Sequence, residues 1–326
     1  MKETKEHRLP VLAIDLGGTK IIAAIIANPG QVMAKKRHPT LANKGPQSVI
    51  ERLFSAVNDV LSLNNMNPSQ LDSISIASAG AIDADKGIVT SSPNLPGWQG
   101  VPLRDIIKEE YKVDAFLIND ASAAALAEYH FGAGKGVKNL IYLTVSTGIG
   151  GGIIIDGQLY TGPSGSAGEI GHTTIDINGP KCSCGNTGCL EVLASGTAMA
   201  REAIRRLKQG EASSLTELVA GKLENITAEK VSLAAERGDR LAQEVISQAA
   251  ISLGVGMANL VNIFNPQMII VGGGVAKMGD RLLNPAREVV RERAFQLPAQ
   301  AVRIVQAKLG DNAGLLGAAL FALQQR

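Results

Sequence analysis

Apolar residues along this chain fall in short runs broken by glycine-rich turns, and these runs alternate with stretches of helical period. Val11-Leu12-Ala13-Ile14 is continuous and short, so the pattern predicts a buried strand. Asp15-Leu16-Gly17-Gly18-Thr19-Lys20 then reads as a turn and Ile21 to Ile26 as a second strand. Asn28-Pro29-Gly30 is a turn signal before a third strand at Gln31 to Arg37. Val49, Leu53, Val57 and Leu61 recur every four residues, which predicts a helix over 48–63. A strand over 74–80, a loop over 92–98 and a helix over 101–111 follow. The strand at 115–118 delivers Asn119-Asp120 to an alanine-rich helix over 121–129.

The opening pattern then returns. Leu140 to Val145 reads as a strand, Ser146 to Gly152 as a glycine turn, and Ile153-Ile154-Ile155 as a strand. Asp156-Gly157 is a hairpin signal before a third strand at Gln158 to Tyr160. This repetition predicts two related α/β halves, each offering a turn of phosphate size. Helices are expected over 197–208, 214–220 and 228–237. A long helix over 241–264 carries Val245, Ala249, Leu253, Met257 and Leu260 on one buried face. Asn265-Pro266 ends it. Met268 to Val271 and Ile304 to Ala307 read as strands, and the last helix begins within 310–318. No linker or charge block separates the halves.

Candidate chemistry sits where these runs end. Asp15 at a strand end, followed by two glycines and a threonine, suits phosphate binding with a carboxylate near Mg2+, although a plain hairpin turn has the same composition. Asp120 faces a helix start, a usual place for chemistry in an α/β sheet and also a common N-cap. Gly272, Gly273 and Gly274 at a strand end would let a flat adenine or ribose lie against backbone. Neither the P-loop pattern nor the dinucleotide fingerprint is present.

The richest stretch is G-E-I-G-H at 168–172 with C-S-C-G-N-T-G-C-L-E at 182–191, which holds all three cysteines. His172, Cys182, Cys184 and Cys189 make a complete tetrahedral ligand set for zinc. With no open position, such an ion would be structural. Buried inert thiols are the other reading. The odd count opposes a disulfide set, and C-x-C is not the redox spacing.

Composition narrows the function classes. The 326 residues carry 32 Lys and Arg against 30 Asp and Glu, a net charge of +2, which makes no electrostatic case for nucleic acid or an anionic membrane. Aromatics at 3% disfavour a stacking nucleic-acid module. The start, MKETKEHRLP, has no apolar leader, and glycine or polar residues interrupt each apolar run before membrane length, so a cytoplasmic protein is expected.

Several stretches together resemble the ROK family of bacterial sugar kinases and related repressors. They are DLGGTK at 15–20, NDASAAA at 119–125, STGIGGG at 146–152, GEIGH, the cysteine stretch, VGGG at 271–274 and GDNAGLLGAA at 310–319. Within the family, SPNLPGW at 92–98 and LEVLASGTA at 190–198 are most similar to the glucose-phosphorylating branch. Ser122, and Ser78-Ala79-Gly80, depart from the usual family residues. The resemblance implies an actin-like ATPase fold, with residues 1–118 and 308–326 in a small α/β domain and 119–307 in a large one. ATP and sugar would lie in the cleft between them. It implies Asp120 as catalytic base and Gly80, Asn94, Asn119, Asp120, Glu169, His172 and Glu191 as sugar contacts. Asp15 would assist Mg2+, and Gly17, Gly18, Thr19, Lys20, Thr147, Gly148 and Gly150 would cradle phosphates. The implied reaction moves the γ-phosphoryl of ATP to glucose, with an N-acylated hexosamine as the alternative acceptor. A homodimer or higher homo-oligomer is implied. The repressor branch carries an N-terminal helix-turn-helix, for which the residues before the first strand leave no room.

Overall fold

In the computed structural model, the described residues are 9–28, 30–92 and 94–325. Pro29 of the turn signal, Pro93 of the loop and the first eight residues, on which the reading of no leader rests, lie outside them. The chain divides into two compact units. Unit 1 comprises Met1–Lys135, Leu159–Ala167 and Leu309–Arg326, and unit 2 comprises Gly136–Gln158 and Gly168–Lys308.

Unit 1 begins with β1 (Val11–Leu16), β2 (Lys20–Asn28) and β3 (Gln31–Pro39). The helix α1 (Pro46–Leu63) packs on β2 and β3 through Val49, Leu53 and Val57. Next come β4 (Ser73–Ser78), three short strands β5 (Ala81–Asp83), β6 (Ile88–Ser91) and β7 (Gln99–Val101), then α2 (Leu103–Tyr111), β8 (Ala115–Asn119) and α3 (Asp120–Phe131). The main sheet has the order β3-β2-β1-β4-β8, with β1 antiparallel to β2 and parallel to β4, and β4 parallel to β8. β1 and β4 are almost wholly buried, as a parallel pair covered on both faces should be, although β4 carries Ser73, Ser75 and Ser78 into the interior. β3 alternates exposed and half-buried positions, the mark of an edge strand with one wet face.

Unit 2 repeats this order. Its strands are β9 (Leu140–Val145), β10 (Ile149–Ile155), β11 (Gln158–Tyr160), β12 (Met268–Gly272) and β13 (Arg303–Gln306). The sheet order is β11-β10-β9-β12-β13, with β9 antiparallel to β10 and parallel to β12. β1, β2, β3, β4 and β8 therefore correspond one by one to β9, β10, β11, β12 and β13, and the duplication read from the sequence is a duplication of topology. The helices are α4 (Leu190–Ala194), α5 (Gly196–Lys208), α6 (Leu215–Leu218), α7 (Ala228–Glu236), α8 (Arg240–Phe264), α9 (Asp280–Arg293) and α10 (Gln296–Ala301). α8 is the one described helix long and apolar enough to cross a membrane, and it is mostly buried. Leu241, Val245, Leu253 and Met257 on it belong to the core of unit 2. Asn265 caps it in the left-handed conformation. Finally α11 (Ala313–Gln324) returns to unit 1 and lies against α3. The two backbones meet so closely that a Cβ on Gly317 would fall on the Ala123 carbonyl.

Three features differ from the sequence reading. Gly150, Gly151 and Gly152 lie in β10, so the turn is only Ser146–Gly148. Gly151 is bare because another backbone packs on the strand, not because the chain bends: a Cβ there would sit 2.6 Å from the Gly168 carbonyl oxygen. Trp98 lies in a loop, as expected, yet it is 1% exposed and belongs to the core of unit 1. α9 is absent from the elements expected above, although Leu282, Leu283, Ala286, Val289 and Val290 recur at helical spacing; they are buried, against α8.

Candidate active site and metal centre

In unit 1 the turn after β1 is a tight hairpin. The Gly17 amide donates to the Lys20 carbonyl at 3.0 Å, and the Thr40 hydroxyl donates to the Gly17 carbonyl at 2.6 Å. Gly18 lies against Asn94, whose carbonyl oxygen would be 2.7 Å from a Cβ there. Asp15 is mostly withdrawn from water, and burial pushes its carboxyl up to about 6, opposed by the Lys20 charge. Lys20 itself pairs with Asp311 at 2.9 Å, and Lys35 donates to Asn312 at 3.1 Å. A Cβ on Gly314 would lie 3.2 Å from the Asp15 carboxyl carbon. The segment before α11 thus closes over the hairpin, and Asp15, Gly17, Gly18, Thr19 and Lys20 form one local structure with Asp311 and Asn312.

The end of β8 presents Asn119 and Asp120 at the start of α3. The Asn119 side chain caps the helix, accepting from the amides of Ala121 at 3.0 Å and Ser122 at 3.1 Å, and donates to the Gly80 carbonyl at 3.1 Å. The cap is therefore Asn119, which leaves Asp120 as the first helical residue. One Asp120 oxygen accepts the Ala121 amide at 2.8 Å. Gly80 has φ +108, and any Cβ there would strike the Ser91 carbonyl and Ser92. Asn94 is exposed.

In unit 2 the Ser146–Gly148 turn is suspended from the residues that follow the cysteine stretch. The Gly196 amide donates to the Ser146 carbonyl at 2.7 Å, and the Thr197 hydroxyl to the Thr147 carbonyl at 2.8 Å. The Glu191 carboxylate accepts the Ile149 amide at 2.9 Å and occupies the space a Gly148 side chain would need. Gly272 and Gly273 lie against Tyr142 and the Val145 carbonyl at the end of β9, and Gly274 is near the Ser146 hydroxyl. The turn, the triple glycine and Glu191 are thus brought together within unit 2.

The metal-type ligands converge as well. The four donor atoms of His172, Cys182, Cys184 and Cys189 lie within 4.8 Å of one another. His172 Nδ1 is 3.6 Å from Cys182 Sγ, and Cys184 Sγ is 3.7 Å from Cys189 Sγ. A tetrahedral zinc with bonds of about 2.3 Å needs donor separations of about 3.8 Å, so this set fits the ion. Short bridges between Thr174 and Cys189, and between Lys181 and Thr187, fold the loop back on itself. Gly188 takes φ +65 where a Cβ would collide with the Asp176 carbonyl. Burial, then the hydrogen bonds it donates to Cys184 and Cys182, push the Cys189 thiol up to about 12; a bound cation would reverse this by displacing the proton. Nδ1 faces the sulfurs, so Nε2 of His172 is the ring nitrogen left for another partner. Glu169 stands beside it, its carboxyl raised first by burial and then by Glu191, with His172 opposing. Thr197, Ser195, Asp311 and Tyr142 are site neighbours that the sequence pattern did not single out. Only the fold shows which of many polar residues lie next to the turns.

Residues 11–325 match the sequence profile of the ROK family. The chain belongs to the ROK family. Among its relatives, glucokinase of Thermotoga maritima is 36% identical over 312 residues, 96% of each chain. The xylose repressor of Caldicellulosiruptor bescii is 36% identical over 308 residues, 94% of this chain and 76% of the repressor. The structure of a ROK family glucokinase from Streptomyces griseus, in complex with glucose and AMPPNP, aligns with a TM-score of 0.86 at 33% identity, covering 97% of this chain and 99% of that one. This ROK chain has the actin-like ATPase fold of those sugar kinases.

Proposed function

We infer that this protein is an ATP-dependent hexose kinase that phosphorylates glucose to glucose 6-phosphate. The observation that carries the reading is the convergence in unit 2, where the Glu169–His172 segment, Glu191 and the glycine turn form one bonded assembly. Relatives and a structural neighbour named glucokinase support the same reaction. Asp120 is the base we assign: it orients the sugar 6-hydroxyl and takes its proton as the new O–P bond forms. Asn119, Glu169, His172 and Glu191, with Gly80 and Asn94, are assigned to the sugar hydroxyls, which donate well to carboxylates and amides. The Ser146–Gly148 turn, Gly150 and the Gly17–Lys20 hairpin are assigned to the phosphates. Gly272, Gly273 and Gly274 are assigned to the nucleoside. Magnesium would shield phosphate charge, and Asp15 is the residue assigned to it. Structural zinc would hold the His172 ring and fix the loop bearing Glu169 and Glu191.

We place the enzyme in the cytoplasm, in sugar breakdown, as a homo-oligomer with no nucleic-acid or membrane partner. The runner-up acceptor is an N-acylated hexosamine, a reading that rests on the small Ser78-Ala79-Gly80 turn beside Asn119. With Asn119 already capping the helix, Asp120 is not needed as the cap, which favours a catalytic role for it over a regulator without catalysis. Purified protein with ATP and Mg2+ should convert glucose and release ADP; failure to phosphorylate any hexose would remove the reading.

A further inference from the structure

The residues that flank the cysteine loop, assigned above to the sugar side, bond to or pack on the glycine turn and the strand that leaves it. Glu191, two residues after Cys189, accepts the Ile149 amide at 2.9 Å. Five and six residues further on, Gly196 donates to the Ser146 carbonyl and Thr197 to the Thr147 carbonyl, at 2.7 and 2.8 Å. On the other side, the segment before the loop lies directly on β10. A Cβ on Gly168 would be 2.7 Å from the Gly151 carbonyl oxygen, and one on Gly171 would strike the Ile149 carbonyl. Residues on both flanks of the His172–Cys189 cluster therefore grip the turn and the strand that leaves it. A three-residue turn with exposed Ser146 and Thr147 has little packing of its own. Its shape depends on these external bonds.

We propose that the metal loop is also the scaffold of the phosphate turn, with Glu191 and Thr197 as positioning residues through which an ordered loop preorganises the nucleotide site. This rests on the kinase reading, which assigns the turn to phosphate. A loop serving the sugar alone would leave nucleotide affinity untouched when its metal is lost. A scaffold predicts that nucleotide affinity falls even with no sugar present.

The test is the Kd of Mg·ATP by calorimetry, in sugar-free solution, on the full chain. Thr197→Val removes the hydroxyl bond to Thr147 without touching the cluster. It should weaken ATP by about threefold to tenfold, the range of one net hydrogen bond, while glucose Kd stays within about twofold. Thr197→Ser keeps the hydroxyl and should restore the wild-type value. Stripping the metal from the wild-type protein should weaken ATP by at least about tenfold, with recovery on adding zinc. An unchanged ATP Kd in Thr197→Val, or in metal-free protein, overturns the proposal. So does a serine variant as weak as the valine one, or an equal loss of glucose affinity in Thr197→Val. If the wild-type protein binds ATP and phosphorylates no hexose, the kinase reading fails while the scaffold is still decided by these affinities. A wild-type protein that does not bind ATP contradicts both.

Discussion

Two carboxylates of unit 1 carry opposite predictions at the residue scale. Asp120 is the assigned proton acceptor, and its backbone position is held by the Asn119 cap. Asp120→Asn keeps the shape and loses the basicity, so kcat should fall by about 100-fold or more with glucose Kd largely retained. A variant keeping over about a tenth of wild-type kcat, a barrier change under ~1.4 kcal/mol, would take the base role from Asp120. Asp15 is a group whose folded pKa is raised, from an ordinary 3.8 to about 6. Below about pH 4 both folded and unfolded chains hold the proton there, and burial costs nothing. As pH rises towards 6 the unfolded chain ionises first, and stability is lost; the full penalty applies above that, at most about 3 kcal/mol for a residue not wholly sealed from water. Asp15→Asn in metal-free buffer should therefore raise Tm by a few degrees at pH 8 and leave it unchanged near pH 3.5. The same substitution should lower turnover, because the strain belongs to a functional carboxylate. A Tm gain of equal size at both pH values would show that the Asp15 charge is not the cause.

Among the elements, the segment 168–172 and β10 form a demanding contact, since neither backbone tolerates a side chain between them. Gly168 also holds φ +102. Gly168→Ala should destabilise the protein by about 1–3 kcal/mol in denaturant titration, and a loss under about half a kcal/mol would mean the two backbones separate freely. Metal binding belongs to this scale too. Cys184→Ser should lose one equivalent of zinc and the activity with it, although Cys184 is not assigned to touch substrate; metal analysis with a parallel assay checks both. Much of this was legible from residue order. Val11–Ile14 and Leu140–Leu143 are short apolar runs because both lie inside a sheet, and the ligand set could be named from residue types and spacing. The role of the glycines was not. Gly150–Gly152 look like a turn in sequence but lie in β10, and the backbone of 168–171 lying on that strand explains Gly151. Nor could Thr197 or Asp311 be picked out, since each matters through a neighbour more than a hundred residues away or on another element. α9, by contrast, was legible, since Leu282, Leu283, Ala286, Val289 and Val290 recur at helical spacing; what the sequence does not show is that this side faces Gly254 of α8, where Val289 fits because that glycine has no side chain.

For the whole molecule the claim is a sugar kinase built on a duplicated α/β fold. The correspondence of β1, β2, β3, β4 and β8 with β9, β10, β11, β12 and β13 places one glycine turn at the end of the first strand in each unit. Both turns are held by distant segments: in unit 1 Thr40 bonds to the turn and Asn94 packs on it, and in unit 2 Gly196 and Thr197 bond to it. Such preorganisation suits phosphoryl transfer, where positioning and charge neutralisation supply most of the catalysis. What remains to be decided is the acceptor. A site whose carboxylates accept from the 2-hydroxyl should reject a sugar substituted there, since the bulk is excluded and the carboxylate is left unpaired. The direct measurement is kcat/KM for glucose, N-acetylmannosamine and N-acetylglucosamine with saturating Mg·ATP. Glucose should exceed both hexosamines by at least about a hundredfold. A hexosamine that equals or beats glucose would contradict the account.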